Sequence, residues 1–74
     1  MRRLYALDPA YARQLAERRR AAQLSQNDVA LAVGVAEATI GKYERLAAPV
    51  PPHLRESIDI ALTEAERARE AVHA

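Results

Sequence analysis

The chain has 74 residues, a length that suits one domain with a small core. It has no cysteine, so disulfides and cysteine-based metal sites are excluded, and its two histidines lie far apart without partners at ligand spacing. The net charge of +1 favours no class of partner. No apolar run approaches the roughly 18 residues of a membrane span, and the N-terminus lacks a signal-peptide core. A cytoplasmic protein is therefore expected.

Charge is unevenly distributed along the chain. The first 20 residues contain six arginines and two acidic residues, a net charge of +4, whereas residues 51–74 contain three arginines and five acidic residues, a net charge of −2. A basic end can meet phosphate groups while an acidic end faces away from them. Ordinary solvated helix surface would give the same pattern.

Residues 1–8 predict an N-terminal arm that leads into a first helix. Arg2 and Arg3 could reach a nucleic-acid backbone, as basic arms do in some domains, or belong to a frayed terminus. Asp8 can cap the helix, and Pro9 suits its first position. The apolar periodicity extends this helix to about Ala22 and places Arg19 on its apolar face.

The next stretch predicts a short helix from Gln26 to Val33. Ser25 stands at the N-cap position with Asp28 three residues later, an approximate capping box. Gly34 follows the last apolar residue, where a helix end favours a left-handed residue.

A third helix is predicted from Glu37 to about Leu46. Its cap position holds Ala36, which has no side-chain acceptor, at a cost of ~1 kcal/mol. Gly41 lies inside the helix at a similar cost of ~1 kcal/mol, and marks either a close approach of the backbone to a neighbour or a tolerated defect. Two short helices joined by a glycine-containing turn form a helix-turn-helix.

Three prolines between residues 46 and 52 predict a loop, and the chain is helical again from His53. Apolar residues then recur at heptad spacing: Leu54, Ile58, Ala61, Ala65, Ala68 and Val72. Thr63 begins a possible second capping box, so one long helix and two helices broken at Thr63 both fit. Residues 63–74 are therefore a C-terminal helix or a helix extension, whose seam can pack on the domain or on a second copy.

The central part of the chain resembles the lambda-repressor-like, Cro/CI-type (XRE) helix-turn-helix family from about Leu15 to Leu62. The matching residues are Leu24, Gln26, Val29, Ala30, Val33, Gly34, Val35, Thr39, Ile40, Tyr43 and Glu44. The resemblance implies an all-α, compact four- to five-helix domain over residues 9–62 that docks its recognition helix, residues 37–46, in the DNA major groove. It also implies that Arg19 pairs with Glu44.

Specific roles follow for the recognition helix. By resemblance, Glu37, Ala38 and Lys42 stand where family members read bases; lysine can donate to guanine, glutamate can accept from cytosine, and alanine can touch a thymine methyl. Gln26 matches a family position that donates to phosphate. The Thr39 methyl can also touch a thymine methyl, or Thr39 can instead bond a phosphate. Arg18, Arg20 and Arg45 are further candidates for phosphate contact. The full candidate set for DNA binding is Gln26, Glu37, Ala38, Thr39, Lys42, Arg18, Arg20 and Arg45.

The expected function is that of a sequence-specific transcriptional regulator, Cro-like or a small phage repressor, in a bacterial or phage-infected cell. Its partner would be double-stranded operator DNA, and a second copy could join it in a homodimer. No catalytic constellation is present, so we expect neither enzyme activity nor a cofactor, metal or small-molecule ligand. Glu37 would repel phosphate unless it met a cytosine. A helix-turn-helix used for protein contact, as in an antitoxin or antirepressor-like partner, is therefore the alternative.

Overall fold

The computed structural model describes residues 6–73, with side chains as far as Val72, and this part of the chain contains helices and no strand. The helices are α1 (Pro9–Ala21), α2 (Gln26–Val33), α3 (Glu37–Glu44) and α4 (Pro52–His73). The all-α prediction is confirmed, with four helices. Arg2 and Arg3 of the predicted arm lie outside the described residues.

The first two helices begin where their capping residues predict. The Asp8 carboxylate accepts from the backbone N–H of Tyr11 at 3.1 Å, and Pro9 is the first residue of α1. At α2 the Ser25 hydroxyl accepts from the Asp28 N–H at 2.9 Å, and the Asp28 carboxylate accepts from the Ser25 N–H at 2.7 Å. Both bonds of the capping box are therefore present, so two backbone donors at this helix end are satisfied.

A residue with left-handed backbone follows each of the first three helices within two positions. These residues are Gln23, Gly34 and Leu46, with φ of 60°, 80° and 61°. After α3, the N–H of Ala47 donates to the carbonyl of Lys42 at 2.8 Å, the long bond of a Schellman motif. The predicted extension of α3 to Leu46 was therefore wrong, because Leu46 is the left-handed residue of the motif, at a cost of ~1–2 kcal/mol for a residue with a Cβ.

The core lies where α2 packs against α3 and α4, and α1 against α3. Its central residues are at most 6% exposed. They are Leu15, Val29, Ala30, Ile40, Tyr43, Ile58 and Leu62. Ile40 and Tyr43 therefore fix one face of α3 in the core and turn its opposite face to solvent.

Helix α4 is a single helix of 22 residues, which settles the open question at Thr63 in favour of one helix. Ile58 of the predicted seam is buried in the core and Leu54 packs against it, so the first half of the seam packs on the domain. Leu62 lies beside the seam and is buried as well. The second half extends past the core, where Ala68 is exposed and Val72 is 79% exposed. The heptad pattern therefore belongs partly to the core and partly to solvent.

Ion pairs hold α4 against the N-terminal part of the molecule. Arg55 donates to the Asp8 carboxylate at 3.0 Å, and its guanidinium lies 4.1 Å from the centre of the Tyr11 ring. Farther along, Arg18 of α1 donates to Asp59 at 2.6 Å and to Glu66 at 2.8 Å. Asp59 precedes Thr63 and Glu66 follows it, so Arg18 bonds α4 on both sides of the position at which the helix could have broken.

Candidate nucleic-acid interface

The helix-turn-helix consists of α2, the turn at residues 34–36 and α3. Because Ile40 and Tyr43 are buried, the opposite face of α3 is presented to solvent. Glu37, Ala38 and Lys42 are all exposed on that face, whereas Thr39 is half-buried beside it. The three predicted base-reading side chains are thus free to meet a partner surface together.

The guanidinium of Arg19 forms a two-bonded ion pair with Glu44. Nε lies 2.6 Å from Oε2 and Nη2 lies 3.1 Å from Oε1. The third donor, Nη1, bonds the backbone carbonyl of Leu24 at 3.0 Å. The predicted pair is confirmed, and it connects α1 to both the last residue of α3 and the loop before α2.

Gln26 extends this pair to a third helix. Its amide Nε2 donates to Oε1 of Glu44 at 3.1 Å, so one carboxylate accepts from α1 and from α2. Burial acts to raise the pKa of the Glu44 carboxyl, but the hydrogen bonds from Arg19 and Gln26 outweigh it and hold the pKa below its ordinary value. The carboxylate is therefore ionised at neutral pH, and the three helices share one charged junction.

Gly41 is buried under two side chains that were predicted to meet phosphate. A Cβ at this position would lie 3.0 Å from Nη1 of Arg45 and 3.4 Å from Oε1 of Gln26. The ends of both side chains therefore lie close to the backbone of α3 at Gly41, a proximity that helix propensity alone could not reveal.

Arg18 lies apart from the other candidates. Besides its ion pairs with Asp59 and Glu66, it donates to the Thr63 hydroxyl at 3.3 Å. The bonds to the two carboxylates raise the pKa of Arg18. Arg18 therefore links α1 to α4, because Asp59, Thr63 and Glu66 form one stripe of α4, and the predicted phosphate contact would compete with these bonds. The spacing of four and three residues between Asp59, Thr63 and Glu66 was the sequence signal that these side chains share one face of a helix.

The remaining basic candidates, Arg20, Lys42 and Arg45, are exposed. None of them forms an ion pair with another of residues 6–72. Arg20 adds its positive charge to the field that lowers the pKa of Glu44. These three cations are available to an anionic partner without breaking an internal bond.

A family model for a helix-turn-helix domain matches residues 10–72, which is most of the chain. The chain belongs to this family of Cro/CI-like helix-turn-helix domains. No curated protein and no solved structure gave a match. A helix-turn-helix domain suggests a DNA-binding regulator, and units of this kind place their second helix in the major groove.

The family and the described residues also bear on enzyme activity, metal binding and membrane insertion. The family is typically non-enzymatic. Among the described residues, no group of three histidine, cysteine or acidic side chains could hold a metal ion. No helix in the described part of the chain is both long and apolar enough to cross a membrane.

Proposed function

We propose that the protein is a sequence-specific transcriptional regulator, of the Cro-like or small phage repressor type, that binds operator DNA through α3. The observation that carries this proposal is the solvent face of α3, where Glu37, Ala38 and Lys42 are exposed beside the buried Ile40 and Tyr43. Such a helix can enter the major groove, which is wide enough to admit it.

On this proposal, some of the candidate residues contact DNA bases and the others bind backbone phosphates. Lys42 reads guanine and Glu37 accepts from cytosine, while Ala38 packs on a thymine methyl. Phosphates are gripped by the remaining candidates, which position the protein without reading sequence. They are Gln26, Thr39, Arg20 and Arg45.

We infer further that the protein acts as a homodimer on a palindromic operator. The distal half of the α4 seam supports this, since Ala68 and Val72 are exposed and Ala65 is half-buried. Val72→Glu should then weaken self-association on DNA in sedimentation experiments. Ile60→Glu is the matched control, because Ile60 is 54% exposed but lies off the seam.

Selection of bound sites from random duplex DNA tests the function directly. We expect one enriched sequence with two inverted half-sites, and binding that weakens steeply as salt is raised. A regulator of this kind would act on DNA in the cytoplasm of a bacterium or a phage-infected cell. If no sequence were enriched and the protein instead bound a protein partner independently of salt, the antitoxin-like alternative would replace this proposal.

A further inference from the structure

Gly41 lies in the middle of the DNA-facing side of α3. Residues four apart stand above one another on a helix, so Glu37, Gly41 and Arg45 form one row. Gly41 is nevertheless buried, because the ends of the Gln26 and Arg45 side chains lie over it. A position that should be open to solvent is thus covered by two polar groups from two different elements.

The Gln26 amide is held in place by Glu44. One of its Nε2 hydrogens bonds Glu44, whose carboxylate is held in turn by Arg19. An amide nitrogen carries two hydrogens, so a second donor remains for a ligand. Arg19 balances the charge of Glu44, and Arg45 supplies a further positive charge, so the cluster attracts an anion.

We propose that Gln26 and Arg45 bind one DNA backbone phosphate jointly, and that Gly41 is the positioning residue that makes this joint site possible. The inference rests on the proposed function, since the phosphate belongs to DNA. A guanidinium offers several donors in a plane that suits phosphate oxygens. The N-terminus of α2 contributes less, because Asp28 already accepts from Ser25 there and places a carboxylate beside it.

A Cβ at residue 41 would crowd the guanidinium of Arg45. It would lie 3.0 Å from Nη1, tighter than ordinary van der Waals contact, so Nη1 would have to shift by a few tenths of an ångström. Nη1 is the far end of a flexible side chain, so the arginine would move aside while the helix remained intact. Substitution of Gly41 should therefore change DNA binding without loss of stability, since alanine is the better helix former.

The experiment compares Gly41→Ala, Arg45→Ala and the double variant. Each is titrated with the selected duplex and with a random duplex over a series of salt concentrations. Gly41→Ala should unfold at the same or higher urea, yet bind both duplexes roughly tenfold more weakly, as for one lost charged contact. The slope of log K against log salt concentration should become shallower by about one, while base preference stays unchanged. Adding Gly41→Ala to Arg45→Ala should cost nothing more.

Arg67→Ala is the matched control, because it removes the same charge from an exposed position of α4 and should leave the salt slope unchanged. Wild-type affinity and salt slope in Gly41→Ala would overturn the inference and leave the proposed function intact. Failure of the wild-type protein to bind any duplex at low salt would overturn both. Should Gly41→Ala not fold, additive losses in Gln26→Ala and Arg45→Ala would refute the joint site, whereas a smaller combined loss would support it.

Discussion

The carboxylate of Glu44 and the guanidinium of Arg19 are joined by two hydrogen bonds of 2.6 and 3.1 Å across 25 positions of sequence. Both side chains are largely withdrawn from solvent, at 6% and 12% exposure. The pair therefore ties the end of α3 to α1. Glu44 also accepts from Gln26, so the same junction connects three helices and holds one candidate DNA contact.

The first prediction concerns the energy of this pair. Arg19→Met or Glu44→Gln alone should destabilise the fold by roughly 3 kcal/mol, since each leaves a buried partner uncompensated. The double variant should cost less than the sum of the two, which urea unfolding would measure. Small and additive losses would mean that the pair contributes nothing to stability.

The second prediction concerns how the stability contributed by Glu44 depends on pH. The pKa of Glu44 is lowered in the folded protein, so its contribution to stability is present above pH 4.5, the ordinary value, and is lost as the pH falls through the folded pKa. The stability gap between wild type and Glu44→Gln should therefore narrow below about pH 4.5. Urea midpoints over a pH series would show this, and a gap that widened in acid would contradict the sign.

Glu66 provides a control for that experiment. The bonds from Arg18 also lower the pKa of Glu66, but this carboxylate is 40% exposed. High salt should therefore abolish most of the pH dependence that Glu66 contributes, while the part that is due to Glu44 should persist.

The third prediction concerns the start of α3. The N-cap residue Ala36 has extended backbone, with φ of −74° and ψ of 149°, and makes no side-chain bond to the helix. Ala36→Ser should stabilise the protein by ~1 kcal/mol, because serine can accept from a free backbone N–H. Ala32→Ser, the same change at an exposed position inside α2, should destabilise it by roughly 0.5 kcal/mol. Equal effects at the two positions would argue against capping as the cause.

The fourth prediction concerns Lys42. On the proposed function, Lys42→Ala should change which base is preferred at one operator position, at a cost of roughly 1–3 kcal/mol for the preferred site. Gln26→Ala should weaken binding to all sequences nearly equally, because phosphate contacts do not read bases. Binding curves on a panel of single-base operator changes measure both. An unchanged preference profile for the Lys42 variant would rule out α3 as the reader.

The fifth prediction concerns Glu37, whose carboxylate is exposed at the first residue of α3. If it accepts from cytosine N4, then Glu37→Ala should relax specificity at that position alone. If it only repels phosphates, the same substitution should tighten binding to every sequence. The operator panel separates these outcomes, and Glu37→Gln keeps the shape of the side chain while it removes the charge.

The sequence by itself determined the helical class, the starts of the first three helices and the left-handed turn at Gly34. These features depend on residues within one turn of each other, so Ser25 with Asp28, or Asp8 with Pro9, carries the information locally. The pairing of Arg19 with Glu44 followed from a family resemblance. The geometry of the fold then confirmed it.

Only the tertiary structure decided what distant residues do. It made α4 one helix, directed Arg18 to Asp59 and Glu66, and placed two side chains over Gly41. A long, flexible charged side chain can serve any partner within its reach. Which partner it meets depends on how the helices pack, and packing is set by the whole core at once.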